Sequence, residues 1–160
     1  MSDAAELVAA LSERGWTLGI AESLTGGGLS AEIVAVPGAS AALLGAIVAY
    51  ATPLKASLLQ VDADLLATHG PVHAQVAAQM AAGVRTAVRV GGVPADVGIA
   101  TTGIAGPDSP DGQPVGTVHV AVATPLGSRT FTFLFEGDRA SIRSQTVDVA
   151  ISKVLECLRE

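Results

Sequence analysis

A hydroxyl that is to attack a carbonyl needs a base within reach, and few side chains of this sequence can fill either role. Ser23 and Thr25 lie in the stretch Ala21-Glu22-Ser23-Leu24-Thr25-Gly26-Gly27-Gly28, where an apolar run gives way to three glycines. Glycines let backbone N–H groups approach a substrate, and a helix starting there favours negative charge. The other role open to both hydroxyls is helix N-capping. Lysine is scarce: Lys55 and Lys153 stand against seven arginines. Where only positive charge is wanted, this sequence usually supplies Arg. An amine that must give up its proton has to be Lys, because a guanidinium stays charged. Lys153, on a terminal helix, is the solvated case, and Lys55 taken alone admits the same role. Tyr50, the only tyrosine, closes an apolar run. It suits either a core ring with a boundary hydroxyl or a functional phenol.

Other constellations are absent. The turn at Ser23 has neither the lysine of a P-loop nor the glycine spacing of a dinucleotide fingerprint. It is not a Gly-x-Ser-x-Gly elbow. His69, His73 and His119 fall at a helix end, a helix start and a strand, without metal-ligand spacing, so no metal site is expected. His119 alternates with Val118 and Val120 and reads first as packing, with a cleft as the other place for it. Glu22 is either a partner for a cation or a solvated turn carboxylate. Cys157, the only cysteine, excludes an internal disulfide and reads as core packing.

These residues are carried by alternating strands and helices. A first helix spans 3–14, capped by Asp3, with Leu7, Val8 and Leu11 inward. A strand through Trp16 to Ala21 runs into the glycine turn, and a helix follows to about Ala35. Leu43 to Tyr50 reads as a second buried strand. It empties into a helix capped by Thr52, with Pro53 in its first turn, that carries Leu54, Leu58 and Leu59 and ends before Val61. Residues 62–69 form a short helix stopped by Gly70, and Pro71 opens a long one to about Arg89. A third buried strand over 96–102 leads into a loop from Gly103 to Pro114, dense in Gly, Pro and Asp. Loops of that length are more often functional than decorative. A hairpin (116–123 and 129–135) and a final helix capped by Gly137-Asp138 complete the chain, with Val147, Ile151, Val154 and Leu158 inward. The expected class is α/β, a three-layer α/β/α sandwich with a mixed, mostly parallel sheet of about five strands. If the first three strands are parallel, Ser23 with Thr25, Tyr50 with Lys55, and Thr102 with its glycine loop share one rim.

The bulk numbers are consistent with this reading. A chain of 160 residues predicts one domain, 1–160, and 49% apolar residues with 3% aromatics predict a core of Ala, Val, Leu and Ile. Charged residues are only 15%, which points to surface buried in an oligomer, and a homodimer is expected. The net charge of −6 argues against nucleic-acid binding but permits one anionic small molecule held by local donors. The acidic start Met1 to Glu6 is not a secretory signal, and the longest apolar run, 41–51, is too short to span a bilayer. A soluble, cytoplasmic protein is expected, with no membrane partner.

Several motifs stand together in order: Ala21 to Gly27, Pro37-Gly38-Ala39-Ser40, Val48-Ala49-Tyr50, Lys55, His69-Gly70-Pro71-Val72, Thr102 to Pro107, and Pro114 to Val118. On them the chain closely resembles, over essentially its whole length, the CinA C-terminal domain. This is the competence/damage-inducible family whose stand-alone members include nicotinamide-nucleotide amidohydrolases. The resemblance implies a metal-free amidase with no cofactor, converting nicotinamide mononucleotide and water to nicotinate mononucleotide and ammonia. It maps the family's serine nucleophile and lysine base onto Ser23 and Lys55, its tyrosine onto Tyr50, its loop threonine onto Thr102, and the arginine of its Gly-Asp-Arg segment onto Arg139. The separate N-terminal domain of longer CinA proteins has no counterpart in this sequence. Two departures stand out: Gly28 replaces a larger apolar residue, and His73-Ala74 replaces a Ser-Glu pair. The chemistry asks for backbone N–H groups around Thr25, Gly26 and Gly27, or at Gly103, to meet an oxyanion. It also requires Lys55 to fall well below its free pKa of about 10.4. The other function in view is a nucleotide-binding module without turnover, in a competence or DNA-damage response.

Overall fold

The computed structural model describes residues 1–160. Its elements are α1 (Asp3–Arg14), β1 (Leu18–Glu22), α2 (Gly28–Val34), a single 3-10 turn (Ala39–Ala41), β2 (Leu43–Val48), α3 (Thr52–Leu59), α4 (Ala63–His69), α5 (Ala74–Ala87), β3 (Val97–Gly103), β4 (Thr117–Thr124), β5 (Gly127–Leu134) and α6 (Arg139–Leu158). The strands form one sheet in the order β2-β1-β3-β4-β5. β1 pairs parallel with β2 and β3, while β3–β4 and β4–β5 are antiparallel, so the mixed sheet divides evenly. Helices α1, α2 and α6 cover one face and α3, α4 and α5 the other, giving the expected α/β layers. None of the helices is long and apolar enough to cross a membrane.

Strand alternation sorts the side chains between the two faces. In β1, β3 and β4, the residues Leu18, Ile20, Val97, Ile99, Val118, Val120 and Val122 enter the larger core under α1, α2 and α6. Ala21, Ala100, Ala121 and Ala123 face α5, which brings Val76, Met80 and Val84. The small residues let α5 lie close: a Cβ on Gly98 would stand 1.9 Å from the Ala81 carbonyl oxygen. Likewise, a Cβ on Gly83 of α5 would stand 1.7 Å from the Leu59 carbonyl oxygen at the end of α3.

Several local expectations are corrected. Ser2, not Asp3, caps α1, its hydroxyl accepting from the Ala5 N–H at 3.1 Å. Trp16 precedes β1 and packs half-buried against the core. β2 is an edge strand, so it is only partly covered, and the chain leaves it with Val48 and Tyr50 exposed. Thr52 belongs to the first turn of α3, and Ala51 takes the cap position without a side-chain bond. On α3 the inward residues are Lys55 and Leu59, one helical turn apart, while Leu54 and Leu58 are exposed. Pro71 does not open α5. Its carbonyl is held by Thr102, and His73 caps the helix, with Nδ1 accepting from the Gln75 N–H at 3.1 Å. In α6, Val147 is only half-buried, and Ile142, Thr146 and Ala150 join the inward set.

The chain leaves β1 toward α2 on one face and β2 toward α3 on the other. Divergent exits from adjacent parallel strands open a crevice at their C-terminal ends, where α/β proteins bind ligands.

Candidate active site

Consecutive residues at the end of β1 face opposite ways, and that separates their tasks. Glu22 turns to the α2 face and is wholly buried. Its carboxylate accepts from the backbone N–H groups of Gly27 (3.2 Å), Leu29 (2.8 Å) and Ser30 (3.1 Å) and from the Ser30 hydroxyl (2.6 Å). It is therefore neither a cation's partner nor a solvated group, and it already fills the place at the α2 N-terminus where an anion was expected. Ser23 extends the ladder, donating its N–H to the Thr101 carbonyl at 3.1 Å, and its hydroxyl faces α3.

Lys55 reaches that hydroxyl from the inward side of α3. Its Nζ lies 2.9 Å from Ser23 Oγ, 2.7 Å from the Ala49 carbonyl oxygen and 3.4 Å from that of Tyr50. The residue is completely buried and makes no ion pair. Burial disfavours the charged ammonium, and no carboxylate compensates, so its pKa falls from the ordinary 10.5 to about 8. A neutral amine has two N–H bonds and one lone pair. Two carbonyls take the N–H bonds, which leaves the lone pair for the Ser23 O–H.

A cavity of about 300 Å³ opens onto this pair, and Ser23, Tyr50, Lys55, Thr102, Gly103 and Arg139 all line it. Tyr50, 60% exposed, has its ring at the mouth, and its hydroxyl accepts from Arg139 at 3.1 Å. Arg139 also donates to the Gly106 carbonyl at 2.6 Å, tying the start of α6 to the long loop. Thr102 donates to the Pro71 carbonyl at 2.7 Å, so its hydroxyl holds the wall formed by Pro71 and Val72. Gly103 runs so close to β4 that an added Cβ would lie 2.8 Å from the Thr117 carbonyl oxygen. The loop contributes Asp108 and Asp111 to the rim.

Thr25, Gly26 and Gly27 do not line the cavity. The Thr25 hydroxyl lies 2.8 Å from that of Thr101 on the other face, the Gly26 N–H is spent on the Ser23 carbonyl at 3.1 Å, and the Gly27 N–H on Glu22. Neither Ser23 nor Thr25 caps α2. The N–H groups of Leu24 and Thr25 donate to no acceptor in the protein, although both residues are buried. Backbone donors of buried residues nearly always have a partner, so two consecutive ones without any call for an explanation.

Sequence reasoning passed over Arg143. Its Nε donates to the Leu24 carbonyl at 2.8 Å and its Nη2 to that of Thr25 at 3.0 Å. The available signal was the spacing of Arg139 and Arg143, four apart on the first turns of one helix. Of the two departures from the family pattern, one has a local role and the other leaves room for a side chain. A Cβ at Gly28 would meet Val147 at an ordinary 3.5 Å, and His73 serves as a helix cap. His69 and His73 stack with centroids 4.5 Å apart. His119 is buried with Nδ1 2.9 Å from Thr132 Oγ1, and burial, followed by the nearby His73, lowers its pKa.

Residues 2–158 match the family described as the CinA C-terminal domain. A CinA-like protein of Frankia casuarinae is 49% identical over 148 residues, which make up 92% of this chain and 33% of that protein. A CinA-like protein of Anaeromyxobacter dehalogenans is 45% identical over 155 residues, 96% of this chain and 36% of its own length. The chain thus spans about a third of the length of the curated relatives it matches. Among solved structures, a competence-damaged protein (CinA) superfamily protein from Klebsiella pneumoniae superposes with a TM-score of 0.89 at 34% identity, covering 98% of each chain. One from Escherichia coli superposes with a TM-score of 0.91 at 29% identity, covering 97% of this chain and 88% of that one.

Proposed function

The chain belongs to the CinA C-terminal domain family, and from that premise we propose that it is an amidohydrolase that cleaves the carboxamide of nicotinamide mononucleotide. One observation carries the reading: a wholly buried, unpaired lysine whose Nζ lies 2.9 Å from a serine hydroxyl at the wall of a cavity. Burying an uncompensated amine destabilises the fold, and the cost is understandable where the neutral form is needed as a base.

In the proposed reaction, Ser23 Oγ bonds to the carboxamide carbon as its proton passes to Lys55 Nζ, and the carbonyl electron pair moves onto oxygen. Collapse of this adduct breaks the C–N bond, and ammonia leaves with the proton returned by Nζ. Water then attacks the resulting ester, giving its proton to Nζ, and Ser23 is released with that proton as nicotinate mononucleotide forms. Arg139 at the mouth, braced by Gly106 and Tyr50, is the cation placed to meet the phosphate.

The test is ammonia release from nicotinamide mononucleotide by purified wild-type protein and by S23A. Turnover by the wild type, lost in S23A with the melting temperature within a few degrees, is the expected result. Tight nucleotide binding with no ammonia would replace the amidase with a binding module.

A further inference from the structure

We infer that the backbone N–H groups of Leu24 and Thr25 bind the oxyanion, and that Arg143 is the positioning residue that aims them. This deepens the amidase reading and rests on it. The two donors directly follow the nucleophile in the chain: Leu24 lines the cavity beside Ser23, and the Thr25 N–H belongs to the next peptide behind it. They are the amides of this turn left without an acceptor, while those of Ser23, Gly26, Gly27 and Gly28 are all spent within the protein.

Their orientation is set from the opposite side of each peptide plane. A trans peptide holds its carbonyl and the next N–H antiparallel. The Arg143 guanidinium grips the Leu24 carbonyl through Nε at 2.8 Å, so the Thr25 N–H must point away from it. The Ser23 carbonyl, accepting from Gly26 at 3.1 Å, fixes the Leu24 N–H in the same manner. Nη2 on the Thr25 carbonyl at 3.0 Å adds a second point of attachment, which a lysine could not reproduce. Arg143 itself is not among the residues lining the cavity, so it acts through the turn and not on substrate.

The experiment compares wild type, R143K and R143A in two assays: kcat and KM for nicotinamide mononucleotide, and the rate at which an alkyl fluorophosphonate labels Ser23. The labelled adduct also places an oxygen against the oxyanion donors. In R143A, kcat is expected to fall about 10²-fold with KM within twofold. Ser23 labelling should slow in parallel, R143K should lie between, and millimolar guanidinium should restore part of the R143A rate. A kcat within threefold of wild type in both variants overturns the inference. So does a loss confined to KM, or a loss that guanidinium does not relieve while R143K melts as wild type. If the wild type releases no ammonia, the amidase reading falls, and the labelling rates alone decide the role of Arg143.

Discussion

On the face of the sheet under α1, α2 and α6 the central strands present large aliphatic side chains, and on the face under α5 they present alanine and glycine. Each face also has one lysine. Lys153, on α6, pairs with Glu156 at 2.7 Å and lies 4.8 Å from the Phe131 ring centroid, partly in solvent. Lys55, on α3, is wholly buried against carbonyls and a serine. The first face stabilises through volume, the second through close approach. The close approach is what lets α3, held against Gly83 of α5, bring a lysine beneath the rim of β1. Stability and the candidate chemistry are thus assigned to opposite faces, and Glu22 and Ser23 mark the border between them.

The sharpest way to break this contrast is to exchange the lysines' fates. K55M should reduce ammonia release by about 10³-fold or more, since it removes the proposed base. It should leave the melting temperature unchanged or raised, because an unpaired buried amine is replaced by an apolar side chain of similar length. A melting temperature lowered by many degrees would make Lys55 a structural residue. Next in size, the faces should respond oppositely to volume. L11A on the first face should cost about 3 kcal/mol by leaving a cavity. G98A on the second should cost about as much by adding a methyl against the Ala81 backbone, and chemical denaturation checks both.

The pH dependence follows from the same lysine. With a folded pKa of about 8, kcat/KM should rise about tenfold per unit below that value and level off above it. Stability has its own sign. The unfolded lysine, near 10.5, holds its proton where the folded one has released it, so stability should rise with pH from about 8 to 10.5. Below about 8 both forms are protonated and the burial cost is fully present. K55M should abolish the Lys55 contribution to that rise. The smallest effect belongs to K153M, which should hardly move the denaturation midpoint, because its ion pair lies partly in solvent.

Much of this arrangement is legible in the residues themselves. The alternation Val97-Gly98-Ile99-Ala100 and its counterparts in β1 and β4 mark both faces of a strand. The breakers Pro37-Gly38 and Gly70 and the cap Asp138 mark helix limits, and the glycine turn marks the strand end that carries Ser23. The exposure of Tyr50 and the burial of Lys55 were not legible, because both depend on β2 lying at the sheet edge and α3 on its rim. The four donors to Glu22 and the grip of Arg143 on the Leu24 and Thr25 carbonyls were hidden for a related reason. Such contacts join groups whose relation appears only when the backbone turns or when distant helices pack.

By itself the sequence determined the periodic properties: which segments are strands or helices, which residues share a face, and which few side chains have the chemistry of a nucleophile and a base. Those follow from side-chain directions that repeat every two or 3.6 residues along the chain. Only the tertiary structure decided that β2 and β3 flank β1, that the exits of β1 and β2 diverge, and that an amine 32 residues from a hydroxyl meets it away from water. The physical reason is that strand order and helix docking are settled by the summed burial of both faces, a quantity no local stretch contains.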